Sequence, residues 1–153
     1  PWEWGNIVSQ IGQRYNNAYV VVERNNHGLT TLRRLQELSY PNMFIEHSVD
    51  GAYTDNMTKR GGFLTTSKTK PLIIDGLAAL LRQGQSGIAD MDLVSELRTY
   101  IIDDKGAFNS QSGCYDDRVM AYAIALHGLA SMPRIRHRTI QRRFKTLDPV
   151  AGY

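Results

Sequence analysis

Ala18-Tyr19-Val20-Val21-Val22-Glu23-Arg24-Asn25-Asn26-His27-Gly28 is the stretch on which the fold turns. Its first half is an unbroken apolar run that closes on an acid. Such a run reads as a strand buried on both faces, as in the parallel part of an α/β sheet. Arg24 to Gly28 is turn chemistry. Helical spacing resumes at once, with Leu29, Leu32, Leu35 and Leu38 on or near one face, and Pro41 ends it. Asn42 to Glu46 then reads as a second strand. Upstream, Trp4, Ile7, Val8, Ile11 and Tyr15 make one face of a helix over residues 4–15. The order helix, strand, helix, strand with short links is α/β grammar.

Downstream the pattern loosens and then recovers. Gly51, Asp55, Asn56, Gly61 and Gly62 break any periodicity over residues 48–66, and Tyr53, Phe63 and Leu64 suit an auxiliary β-hairpin. A helix follows with Ile73, Leu77, Leu80 and Leu81 on one side. Thr69 is its expected cap, Pro71 falls in its first turn and Gly84 stops it. A short helix is expected over residues 91–98, with Leu93, Val94 and Leu97 inward. Tyr100 to Ile102 reads as a strand and Asp103 to Gly106 as a hairpin turn. The last strong element runs from Asp116 to Ala130. It is apolar nearly all round and is expected to be buried on most faces.

Composition narrows the class. The chain has 153 residues, 42% hydrophobic and 22% charged, which suits one globular domain and rules out wholesale disorder. No apolar run approaches the roughly 18 residues of a membrane span. One cysteine, Cys114, excludes an internal disulfide and a Cys-based zinc site and fits a reducing compartment. No G-x-x-x-x-G-K-[ST] loop is present, so ATP hydrolysis is not expected of this chain. The net charge of +3 is uneven. Arg134, Arg136, Arg138, Arg142, Arg143 and Lys145 form a basic tail over residues 132–153, following a body over residues 1–131. Taking those six from 18 basic residues leaves 12 against 15 acids, so the rest of the chain is net acidic. A basic tail on an acidic body points to a polyanion partner, or to a solvated C-terminus.

Three acids stand out by position. Glu23 closes a strand, and Asp116 and Asp117 open a helix. In an α/β fold, strand C-termini and helix N-termini meet at one rim of the sheet. Carboxylates converging there can hold hard divalent cations. Two such ions about 4 Å apart suit phosphodiester cleavage. Each acid also has a plainer reading. Asp at a helix start is a favoured N-cap, and an acid at a strand end is often the first solvated residue. Among the bases, Lys59, Arg60, Lys68 and Lys70 flank the glycine-rich segment and suit phosphate contacts, as do the tail arginines; a solvated loop is the alternative. His27 suits an exposed turn and His127 suits packing.

Four blocks carry a resemblance. They are Ala18 to Gly28, Gly62 to Ile74 with Lys68 and Lys70 inside it, Glu96-Leu97, and Gly113-Cys-Tyr-Asp116-Asp117-Arg-Val-Met-Ala-Tyr-Ala-Ile-Ala125. In that order they resemble the C-terminal nuclease domain of phage terminase large subunits, from about residue 6 to residue 130. The resemblance implies an RNase H-like (RuvC-like) mixed sheet flanked by helices. It implies a metal-dependent endonuclease that cuts concatemeric double-stranded DNA with Mg²⁺ or Mn²⁺ in a two-metal site. Glu23 matches the family's second metal-binding acid, and Asp116-Asp117 the pair that contains the third. Met120 stands where some relatives carry a further acid. The family's first metal-binding Asp and first strands lie ahead of Pro1, which suggests a fragment with a weak site that dimerises or swaps a strand. Implied partners are DNA, a terminase ATPase domain, the small terminase subunit and the portal, in the host cytoplasm. A non-cleaving DNA- or motor-binding module, and a resolvase or transposase nuclease, are the alternatives.

Overall fold

The computed structural model describes residues 1–46, 61–104 and 106–133. Within them lie α1 (Trp2–Arg14), α2 (Gly28–Glu37), α3 (Thr69–Arg82), α4 (Met91–Arg98), β1 (Tyr100–Ile102), β2 (Phe108–Ser110) and α5 (Asp117–Ser131). The expected helices are all there, and helix and strand are mixed. The basic tail, Lys59, Arg60 and most of the expected 48–66 hairpin fall outside the described residues.

Helix ends follow local chemistry. α2 stops before Pro41 is reached. Ser39 takes a left-handed φ of 53°, while Tyr40 N–H donates to the Leu35 carbonyl and Ser39 N–H to that of Gln36. That double bond pattern satisfies the last free carbonyls of the helix. Gly84 does the same for α3, at φ 65°. The α3 start differs from expectation. Thr69 lies inside the helix, and the Thr66 hydroxyl accepts from the Lys68 and Thr69 amides instead.

α1 packs on α2 with an unexpected face. Gly5, Ser9 and Gly12 are buried, whereas Trp4 is 56% and Ile11 48% exposed. Close approach explains the inversion. A Cβ at Gly5 would stand 2.6 Å from the Arg34 Cβ, and one at Gly12 would strike the Tyr40 ring. The Tyr40 hydroxyl then donates to the Ala18 carbonyl at 2.6 Å and ties this pair to the next segment.

The parallel pairing is less regular than the apolar run suggests. Residues 18–24 are extended, and Val20 bridges Met43 while Glu23 bridges Phe63, both in parallel; Ile45 bridges Gly61 antiparallel. Every backbone bond on residues 18–24 uses one edge. Val20 exchanges bonds with Asn42 and Phe44, then the partner changes. Phe63 donates to Val22 and accepts from Arg24. Gly62 makes the change possible, because it has φ 77° and a Cβ there would strike the Val22 carbonyl. No backbone bond reaches Tyr19, Val21 or Glu23 among the described residues. With one edge open, residues 18–22 are half-buried and Glu23 is exposed, so the expected burial on both faces does not hold.

The regular sheet is β1 against β2, antiparallel, with Ile101 opposite Asn109. It fits the hairpin read at residues 100–108. Phe63, expected in a hairpin, is instead in the core. That core joins Phe44 and Phe63 to Ile73, Ile74 and Leu77 of α3, Leu93 of α4, and Val119, Ala123 and Ile124 of α5. α5 is buried on one face only. Leu129 is exposed, and Gly128 lets the helix press on Val21. His127 stands edge-on to Phe63 at 5.1 Å but is exposed, so the packing expected of it holds on one side of the ring only. No helix among the described residues is long and apolar enough to cross a membrane.

Candidate metal centre

The turn after Glu23 is fixed by its own residues. Asn26 takes φ 47°, Gly28 N–H donates to Asn25, and α2 starts. Gly28 lies directly against the Glu23 carbonyl, leaving no room for a Cβ. Asn25 reaches across the chain. Its amide donates to the Thr65 carbonyl at 2.8 Å and accepts from the Thr65 amide at 3.2 Å. Arg24 is held on the far side by Glu46 at 2.9 Å. Thus the end of the apolar run is stapled to residues 63–65 by backbone and side chain together.

α5 brings the other acids to the same place. A cavity of about 360 Å³ is lined by Glu23, Thr65, Lys70, Asp116, Asp117 and Met120, among others. All three acids singled out in the sequence therefore share one cavity, drawn from segments far apart in the chain. Lys70, read as a phosphate contact, lies in it too; Lys68, two residues earlier, is exposed. Glu23, Val21 and Ala121 also form a wall of a second, more apolar cavity of about 580 Å³, with Trp4, Val8 and His27.

Asp116 is the N-cap residue of α5, yet its carboxylate makes no cap hydrogen bond. It accepts from the Lys70 ammonium at 3.3 Å, and that ammonium also stands 5.8 Å from the Tyr100 ring centre. The capping reading of Asp116 is therefore not what the side chain does. Glu23 and Asp117 have no side-chain hydrogen bond or ion pair among the described residues. The Thr65 hydroxyl oxygen is buried with no partner among the described residues. A buried hydroxyl of that kind is costly unless something answers it.

The donor set is all oxygen, which suits a hard divalent cation. The set is not drawn together: among the described residues no three acid, His or Cys side chains stand close enough to hold an ion as they are. Lys70 accounts for part of this, since its charge occupies Asp116. Met120 lines the cavity beside the three carboxylates, and its sulfur accepts from the Tyr100 hydroxyl at 3.7 Å.

Burial, and then the Asp116 charge, push the Tyr100 hydroxyl up to about 12 from 10.0. The folded chain thus keeps this proton where the unfolded chain has lost it. The resulting stability is complete below the unfolded value and disappears as pH rises through the folded one. Thermal melts are expected to fall with pH over that window, and less steeply for Tyr100→Phe. Burial also raises Tyr19 and Tyr40, which sustain the remaining slope. Equal slopes in the two proteins would remove Tyr100 from this role.

Two contributors escape sequence reasoning. Thr65 is one hydroxyl among several in its block, and only burial distinguishes it. Tyr100 follows a helix as an ordinary strand residue. No protein-family model matches the chain, and no curated protein matches it.

Proposed function

We propose that this cavity is the cation site of an RNase H-like nuclease domain, acting on double-stranded DNA and resembling that of phage terminase large subunits. The observation that carries the reading is the meeting of Glu23, Asp116 and Asp117 in one cavity beside an unanswered Thr65 hydroxyl. Those three side chains would hold Mg²⁺ or Mn²⁺ through oxygen. When bound, such ions supply Lewis acidity and lower the pKa of water. The chain's own groups do the rest. Glu23 and Asp117 offer carboxylates that no other described residue engages. Lys70 balances Asp116 and is placed to turn to a phosphate oxygen. Lys68 adds a positive charge at the rim.

The wider setting belongs to the same proposal: a DNA-packaging motor with an ATPase domain, a small subunit and a portal, in a host cytoplasm. A second reading has one observation behind it. Because Lys70 already pairs with Asp116 and no three donors are preassembled among the described residues, the chain would grip DNA without cutting it. Mn²⁺ calorimetry, a nicking assay on supercoiled plasmid and a salt series of mobility shifts separate these. The nuclease reading expects Mn²⁺ uptake, and nicking that chelator abolishes. Salt-sensitive DNA binding with neither uptake nor nicking supports the second. Absence of all three sinks both.

A further inference from the structure

The first turn of α5 is capped from another helix. Glu96, near the end of α4, accepts from the Arg118 amide at 2.8 Å and from the Val119 amide at 3.3 Å through one oxygen. Its other oxygen accepts from the Arg118 guanidinium at 3.0 Å. The Glu96 side chain is only 11% exposed. Arg118 is held further by Asp92 at 2.9 Å and by Asp90 at 3.9 Å. Val119, whose amide Glu96 binds, is fully buried in the core. The carboxylate therefore sits where an N-cap side chain belongs, while the residue at the cap position, Asp116, leaves its own first-turn amides alone.

The first free amides of a helix need acceptors, and an Asp at the cap position ordinarily supplies one. If Asp116 did so, its carboxylate would be turned onto its own helix and away from Glu23. We infer that Glu96 is a positioning residue for the acidic cavity: by capping α5 from α4 it releases Asp116 from capping and leaves both Asp116 and Asp117 free to serve the site. This rests on the cation-site reading above. Arg118 contributes by fixing Glu96. Its guanidinium spans Glu96 and the two acids at the start of α4, so the carboxylate meets the amides in one orientation. Negative charge at the helix start adds to the hold.

The test uses the full chain and four variants: Glu96→Ala, Glu96→Gln, Asp116→Ala and the Glu96→Ala/Asp116→Ala double. Two quantities are read, Mn²⁺ affinity by calorimetry and thermal midpoint. Glu96→Ala is expected to weaken Mn²⁺ binding about tenfold or more, the usual effect of removing a residue that orients a ligand. Glu96→Gln keeps an acceptor for the amides and is expected to stay close to the unaltered chain. In the Glu96→Ala background Asp116 takes over the cap. Asp116→Ala should therefore lower the midpoint by about 2–4 °C more there than in the unaltered chain, a coupling that a simple brace would not produce. In the unaltered chain the same substitution loses the Lys70 pair instead, a partly exposed ion pair worth less than a cap. Additive midpoints, or an Mn²⁺ affinity unmoved by Glu96→Ala, overturn the inference, as does a Gln variant as impaired as the Ala one. If the unaltered chain takes up no Mn²⁺, the cation-site reading fails, and the midpoint cycle alone decides whether Glu96 spares Asp116.

Discussion

Glu23→Gln and Asp117→Asn are each expected to lower Mn²⁺ affinity by more than about 100-fold, since even residues that only support a metal ligand are worth 10–100-fold. Any Mn²⁺-dependent nicking should vanish with it. Folding should be untouched, for a reason visible in the cavity. Neither carboxylate has a side-chain partner among the described residues, so the amides replace them without stranding a charge. Glu23→Gln also removes a negative charge from a cavity where three acids gather, so its thermal midpoint should hold or rise; Asp117→Asn gives up a negative charge in the first turn of α5 as well, so its midpoint should hold or fall slightly. Asp116 is a poorer choice for this purpose, because its loss also frees Lys70. Uptake and nicking unchanged in the Glu23→Gln protein would take the cation site away from this cavity.

Gly28→Val is expected to act on the same site through the backbone. A Cβ at Gly28 has no space beside the Glu23 carbonyl oxygen, and would stand 2.8 Å from the carbonyl carbon. Backbone cannot swing aside as a side-chain tip can. Either α2 backs away from the turn or the Glu23 peptide moves, and overpacking of this kind costs about 1–3 kcal/mol. The urea midpoint should fall and Mn²⁺ affinity with it, although Gly28 itself carries no metal-binding group and acts only through the Glu23 backbone. Gly76→Ala is the control. It lies within α3 with nothing within 4 Å of a Cβ there, and should be neutral or mildly stabilising. A Gly28→Val protein as stable as the control would show that the turn has slack.

Much of this was legible in the residues, and the reasons differ by element. α2, α3 and α4 announce themselves because much of each apolar stripe is the face they bury, Leu32 and Leu35, Ile73 and Leu77, and Leu93, although Leu29 and Leu81 at the stripe ends are exposed; Gly84 ends α3 as glycine commonly does. α1 misleads for a physical reason: its apolar stripe and its packing stripe are different faces. Small residues give the closer approach, so Gly5, Ser9 and Gly12 meet α2 and Trp4 and Ile11 face outward. The three acids could be chosen from position alone. What Asp116 does with its carboxylate could not, because the choice between capping and Lys70 depends on Glu96, a residue on another helix. Thr65 has no distinguishing pattern at all, since an unanswered hydroxyl is a property of the packed surroundings. The change of partner along residues 18–24 was equally hidden, because an apolar run says nothing about which segment lies alongside.

That change of partner bears on the order in which the molecule can assemble. Val20 finds Asn42 and Phe44 across a single helix, so the α2 unit can close early as a local event. The next step along the same edge joins Arg24 to Phe63, and Asn25 to Thr65 at a separation of 40 residues. Longer loops close at greater entropic cost and are rewarded only once the contact is made. Glu23 stands on the late side of that junction, and the other two acids come in with a helix later still in the chain. On loop entropy alone the acidic cavity is therefore expected to close after the local units. Its integrity reports on long-range assembly even when most of the helical content is already in place.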